Sequence, residues 1–275
     1  MDEPRLDDLL PLAVRLAGEA ADMALPWRGR ARSGRKADNS VVTETDHRIQ
    51  AHIVEAVGRR YAGHAVIAEE RLAPAAGRPE PASAEFCWVI DPIDGTRNFV
   101  ADIPCFSTSI AVLHRGRPLV GVVYEHNVGR VWCAASGDGA TLDKERIGVC
   151  DPNPAHDLLV GIPSGKDLWS QRVTAAWARD RNLVIRNLGS TAVHLALVAS
   201  GALAAAFCKK CKIWDIAAGV LLVQEAGGKV THGNGRALDR FDLGATVTDS
   251  IPILAAGPEI HERLLPGVQQ AGGDA

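Results

Sequence analysis

Two aspartates three residues apart, Asp91 and Asp94, close the apolar run at residues 86–90 and lead directly into Gly95 and Thr96. The run reads as a short buried strand. Pro92, between the aspartates, lacks an N–H and has a fixed φ, so the turn is stiff. Gly95 opens backbone conformations closed to other residues and lets a ligand come close. Thr96 adds a hydroxyl at the start of a helical turn whose free N–H groups face an anion. Carboxylates beside an anion-seeking backbone point to cations and a phosphate sharing one site.

Other chemically capable residues have a plain reading beside a functional one. Asp46 follows Val41-Val-Thr43-Glu44-Thr45 and falls in the first turn of a helix carried by Ile49, Ile53 and Val57. Thr43 or Thr45 caps that helix, and Asp46 taken alone compensates its dipole. Glu69 and Glu70 end the short strand at 65–68; adjacent glutamates are common on surfaces, but a strand end is also where Asp91 is presented. Asp215 opens a helix that stops at Gly227 and Gly228, both ordinary terminal signals. His194 lies on a largely apolar helix surface, where a lone histidine is ordinarily a hydrogen-bonded core residue. Cys208-Lys-Lys-Cys211 has the spacing of a redox or zinc half-site, and the sequence offers no second pair to complete a zinc site.

Four of these stretches, in order, resemble the signatures of the inositol monophosphatase family, the lithium-sensitive, magnesium-dependent phosphatases. They are Val42-Thr43-x-x-Asp46, Glu69-Glu70, Asp91-Pro-Ile-Asp-Gly-Thr96, and Trp214-Asp215-Ile-Ala-Ala-Gly219 running on to Glu225-Ala-Gly227-Gly228. By motif order the resemblance spans about residues 5–265. It implies that Glu69, Asp91, Asp94, Asp215 and the backbone carbonyl of Ile93 hold two or three Mg2+ ions. It implies that Asp46 pairs with Thr96 to orient an attacking water, with Glu70 supporting the ligand set. The Gly95 and Thr96 amides would hold the phosphate. Ser190 and Thr191 would line the sugar pocket, Asp215 would also reach a substrate hydroxyl, and Lys36 would lie on a mobile basic loop that approaches the metals. Glu225 and the paired glycines read as structural, and Gly219 as a mark of close helix packing. Where the family has Gly-Glu-Glu-Ser, this chain has Ala68-Glu69-Glu70-Arg71, so the carboxylates are kept and their flanks differ.

The implied activity is magnesium-dependent hydrolysis of a small phosphorylated polyol or sugar, of the inositol 1-phosphate type. Phosphate monoesters are among the most inert of biological bonds. Divalent ions help by neutralising the phosphate, acidifying a bound water and stabilising the departing oxygen. Magnesium prefers the all-oxygen ligands found here. Family members that read inositol commonly carry a glutamate seven residues before the second-motif aspartate, and that position is Cys208. With Lys209, Lys210 and Lys212 beside it, the lost carboxylate favours a more anionic substrate. Fructose 1,6-bisphosphate and 3'-phosphoadenosine 5'-phosphate are therefore alternatives, and cationic histidinol phosphate is disfavoured. A non-catalytic binding or regulatory subunit is the remaining rival; the intact ligand set argues against it.

These residues need a scaffold, and the sequence outlines one. Leu6, Leu9, Leu10, Ala13, Leu16, Ala17 and Ala20 recur at helical spacing, predicting a helix over 5–25. Residues 27–39 and 72–85 read as loops. Residues 107–113, 119–124, 131–134 and 137–141 read as an antiparallel meander. A second half begins near Cys150, with strands at 158–162 and 183–186 and helices at 168–179 and 191–199. The expected fold class is α+β, a layered α/β/α/β/α sandwich. Residues 1–266 would form a single catalytic domain, with halves of about 1–149 and 150–266 and a flexible tail at 267–275. At 275 residues, 47% apolar, the chain can bury a sizeable core. A net charge of -3 gives no electrostatic case for nucleic acid as partner. The longest apolar stretch, 192–207, is too short and too polar for a membrane span. Six dispersed cysteines read as reduced thiols, hence a cytoplasmic protein, and the family resemblance adds a homodimer.

Overall fold

The computed structural model describes residues 6–36, 41–70, 78–150, 157–162, 167–244 and 249–272. The elements run in the order α1 (Leu6–Ala24), β1 (Ser33–Arg35), β2 (Val41–Thr43), α2 (Glu44–Arg60), β3 (Ala65–Ala68), β4 (Phe86–Asp94), α3 (Thr96–Val100), β5 (Ser107–His114), β6 (Arg117–Glu125), β7 (Arg130–Ala135), β8 (Gly139–Leu142) and β9 (Glu145–Arg146). After these come β10 (Leu158–Gly161), α4 (Leu168–Arg179), β11 (Leu183–Arg186), α5 (Thr191–Ala199), β12 (Ala205–Cys211), α6 (Ile213–Glu225), β13 (Lys229–His232), β14 (Ile251–Ala256) and α7 (Pro258–Gly272).

Two sheets carry the fold. The first has seven strands in sequence order, β3 to β9, antiparallel except for the β3–β4 pair. The second has five, ordered β11-β10-β12-β14-β13. Helix α1 turns Leu9, Ala13, Leu16, Ala17 and Ala20 onto one face of the first sheet, where they join Ile49, Ile53 and Val57 of α2. Helices α5 and α6 fill the space between the sheets, in a cluster holding Val89 and Ala111 from one and Ala206 and Ile253 from the other. Helices α4 and α7 cover the outer face of the second sheet through Val173, Trp177, Ile260 and Leu264. The result is the expected α/β/α/β/α layering. Close packing in the middle layer depends on Gly219, where a Cβ would lie 2.5 Å from Leu195 on α5. Glu225, read as structural, accepts from the Gly137 and Gly139 amides at 2.9 and 2.8 Å and ties the end of α6 to the β7–β8 turn.

Three expectations are corrected. The loop over 27–39 contains β1, which pairs with β2 (Gly34 opposite Val42) and so brings Lys36 toward the first sheet. The tail expected from 267 is helical through Gly272, because Val268 and Ala271 complete the apolar cluster under α7 and the Trp169 indole donates to the Val268 carbonyl at 2.8 Å. Strands β12, β13 and β14 and helix α7 were not foreseen. Residues 37–39 and 72–77 of the expected loops and 273–275 of the expected tail lie outside the described residues. Among the described residues no helix is long and apolar enough to cross a membrane.

Candidate active site

The site begins with a break in a ladder. Strands β4 and β5 pair regularly as far as Asp91 opposite Ser109, and pairing resumes at Asp94 opposite Ser107. Three steps on β4 thus face two on β5, a bulge in which Pro92 and Ile93 leave the ladder. Proline makes this cheap, having no amide to lose. The Thr96 hydroxyl donates to the freed Ile93 carbonyl at 2.9 Å. Asp91 and Asp94 are then joined by Asp215 from the first turn of α6, whose Oδ2 accepts from the Lys212 amide at 2.7 Å. The Ser109 hydroxyl, donating to the Trp214 carbonyl at 3.2 Å, anchors that turn to β5. One carboxylate oxygen from each of Asp91, Asp94 and Asp215 lies within 4.8 Å of the others.

Burial raises the pKa of all three aspartates. Asp91 is pushed well up by burial and then by the charges of Glu69, Asp94 and Asp215. Asp94 rises to about 6 by burial, held back by donors at the start of α5. Asp215 rises by burial and the charge of Asp94. Asp91 Oδ1 is buried and has no hydrogen-bond partner among the described residues. Buried polar atoms are rarely left bare. Three convergent carboxylates, one of which keeps an unpartnered oxygen, fit a hard divalent cation.

Glu69 and Glu70 flank this triad on the β3 side. The Glu69 amide donates to the Ile90 carbonyl at 3.1 Å, and Gln50 brackets Glu70 by accepting from its amide and donating to its carbonyl. Glu69 lies within hydrogen-bonding reach of Asp91. Lys36 Nζ sits 2.6 Å from an oxygen of each glutamate. Burial alone would lower the lysine pKa, but the two carboxylates outweigh it and hold it above its ordinary value. Burial raises the pKa of Glu70, against the pull of Lys36.

Asp46 lies in the first turn of α2, as expected, and stands beside Thr96. Thr43 caps α2, and its amide and hydroxyl both donate to Asp46 Oδ2, at 2.9 and 2.5 Å. The other oxygen, Oδ1, faces the Thr96 hydroxyl at 3.4 Å. Burial lifts the Asp46 pKa to about 7, opposed by the Thr43 hydrogen bonds.

The second half meets the bulge at α5. Asp94 Oδ2 accepts from the Ser190 hydroxyl and from the Ala192 amide at 2.7 Å, so a first-half carboxylate caps a second-half helix. Asn98, in α3, donates to the Leu188 carbonyl at 2.7 Å, across Gly189, where a Cβ would clash with the Asn98 amide. Thr191 hydrogen-bonds Cys208, which is 8% exposed and in contact with the Cys211 thiol. That bond from Cys211 lowers the Cys208 pKa against burial, and burial raises that of Cys211. Both are free thiols. His194 is a core residue as read, accepting from the Leu188 amide at 3.1 Å.

The structure thus gathers Lys36, Asp46, Glu69, Glu70, Asp91, Ile93, Asp94, Gly95, Thr96, Ser190, Thr191, Cys208 and Asp215 around one end of the two sheets. Sequence reading missed Gln50, Asn98, Thr108 and Ser109, which position the others. The hydroxyl run Ser107-Thr108-Ser109 in an otherwise apolar strand was the one available signal.

The chain resembles known proteins over nearly its whole length. A model of the inositol monophosphatase family matches residues 6–272. The chain is 32% identical over 274 residues to the Nus factor SuhB of Pasteurella multocida, covering 96% of this chain and 97% of that protein. It is 31% identical to a fructose-1,6-bisphosphatase/inositol-1-monophosphatase of Thermotoga maritima, covering 85% and 88%. A solved Thermotoga maritima IMPase structure superposes with a TM-score of 0.84 at 28% identity, covering 97% of this chain and 99% of that one.

Proposed function

Because the chain belongs to the inositol monophosphatase family, we propose that it is a magnesium-dependent phosphomonoesterase acting on a small phosphorylated polyol or sugar. The observation that carries this reading is the Asp91, Asp94 and Asp215 cluster with its bare buried oxygen, beside the Thr96–Asp46 pair. Glu69, Asp91, Asp94, Asp215 and the Ile93 carbonyl would hold Mg2+. When bound there, the ions neutralise phosphate charge, lower the pKa of a coordinated water and stabilise the departing oxygen.

The chain's own residues supply the rest. The Thr96 proton lies between the Ile93 carbonyl and Asp46, so the lone pairs of Oγ1 are free to orient an attacking water. Gly95, at φ 91°, puts backbone where a side chain would strike the Cys105 carbonyl at 3.0 Å, and its amide and that of Thr96 hold the phosphate. Thr191 and Asp215 would face the polyol, with Ser190, whose hydroxyl is held by Asp94 and the Val193 amide, setting the start of α5 beside it. Cys208 replaces a hydroxyl-reading carboxylate, which tilts preference from inositol monophosphate toward a bisphosphate.

The test is phosphate release from inositol 1-phosphate, fructose 1,6-bisphosphate, 3'-phosphoadenosine 5'-phosphate and histidinol phosphate, with magnesium and with excess chelator. Turnover that survives the chelator overturns the reading. Relatives named Nus factor raise a second reading, in which the chain binds a partner. Retained partner binding in a variant that has lost all hydrolysis would favour it.

A further inference from the structure

The bulge between Asp91 and Asp94 frees two carbonyls, and each meets a hydroxyl from a different element. Thr96 takes that of Ile93, and Thr108 of β5 donates to that of Pro92 at 2.8 Å. Thr108 stands between the two β5 residues that bracket the bulge, Ser107 and Ser109, so it lies directly behind it. Its hydroxyl also lies 2.8 Å from His126 Nε2, on β6–β7 connecting chain one residue past β6. Thr108 has one proton, and a carbonyl can only accept it. His126 must therefore donate from Nε2, which settles its tautomer. Its Nδ1 is then bare, buried and without a partner among the described residues. Burial lowers the His126 pKa to about 3, so the ring stays neutral. The Phe106 ring, 5.1 Å away edge to face, keeps it in place.

We propose that Thr108 and His126 are positioning residues for the divalent-cation site. The relay from His126 to Thr108 to the Pro92 carbonyl sets the peptide plane before Ile93, and so aims the Ile93 carbonyl and holds the spacing of Asp91 and Asp94. Neither residue touches the cation or the substrate. Groups that orient metal ligands in this way change affinity by about 10- to 100-fold when removed. The inference rests on the proposed cation site, and goes beyond it by assigning affinity to residues outside the ligand set.

The test is titration with Mn2+, read by the electron paramagnetic resonance of the free ion, with no substrate present. Thr108→Val keeps the shape and loses the hydroxyl, and is expected to bind Mn2+ about 10- to 100-fold more weakly. Thr108→Ser restores the donor and should bind within about threefold of the parent. His126→Leu releases the Thr108 hydroxyl without deleting it and should weaken binding by a smaller factor than Thr108→Val. Thermal unfolding of each variant in chelator separates a structural effect from a positional one. Thr108→Val binding as tightly as the parent, even with a lowered midpoint, overturns the inference and leaves the cation site standing. A parent protein that binds no Mn2+ overturns the cation site itself, and the inference with it.

Discussion

Two groups of carboxylates occupy the same end of the sheets and are balanced in different ways. Glu69 and Glu70 share Lys36, which the β1–β2 hairpin carries to within 2.6 Å of both. Among the described residues no ion pair reaches Asp91, Asp94 or Asp215. Two of these three rest on dipoles: Asp94 on Ser190 and Ala192, Asp215 on the Lys212 amide. Asp91 Oδ1 is buried with no hydrogen-bond partner among the described residues. A buried charge without compensation costs several kcal/mol. The fold therefore brings its own cation to the rim and leaves the interior to one from outside, with the need greatest at Asp91.

The largest expected effect is at that residue. Asp91→Asn should lower turnover by at least about 10³-fold, the scale of losing a metal-centred stabilisation. In chelator the same variant should unfold at a higher temperature than the parent, because an uncompensated charge has gone. Unaltered turnover, or a lower midpoint, would break the contrast between interior and rim.

His194 sharpens the contrast as a buried group with neither kind of counter-charge. Burial lowers its pKa to about 4 from an unfolded value of 6.5. The unfolded chain therefore takes up the proton first as pH falls, and stability present above pH 6.5 is lost on the way down to about 4. The loss is about 3 kcal/mol. Denaturant melts of parent and His194→Gln at pH 7 and pH 4, both with saturating magnesium, should show a shallower decline in the variant. Parallel declines would remove histidine as the cause.

The rim should respond least, and in the opposite sense. Lys36→Gln frees Glu69 from its ion pair, so the magnesium concentration for half-maximal activity should fall about three- to tenfold. A higher requirement would mean that Lys36 helps to assemble the site instead of competing for it.

Local features of this molecule were legible and long-range ones were not. The break at Pro92 was legible as a stiff turn, although β4 runs on through it to Asp94 as a bulge, and the cap on α2 was legible from Thr43, because a few neighbouring residues decide such features. The helix expected at 191–199 is α5, but the strand after it was hidden: residues 205–208 of β12 are all buried, so they show no period of two, and Gly201, at φ 74°, marks the turn between the two elements. Lysines 209 and 210 then disguised the end of a central strand. Pro266, just before the tail expected from 267, is accommodated inside α7, since burial of Val268 and Ala271 outweighs the lost hydrogen bond. Nothing local announces that Thr108 reaches Pro92 or that Asn98 reaches Leu188, since both contacts depend on sheet register and on the meeting of two distant segments.

That meeting has an evolutionary consequence. Asp94 belongs to the carboxylate cluster and its Oδ2 also accepts from the Ser190 hydroxyl and the Ala192 amide at the start of α5, whereas Asp91 Oδ1 has no hydrogen-bond partner among the described residues. Ser190 is the N-cap of α5, and loss of a capping contact costs about 1 kcal/mol, so a change at Asp94 is selected against even where the reaction no longer matters. A descendant that kept the fold and abandoned hydrolysis would be free to vary position 91 first and position 94 late. In such lineages an acceptor surviving at 94 would record the architecture of the helix, and only an aspartate at 91 would record the chemistry.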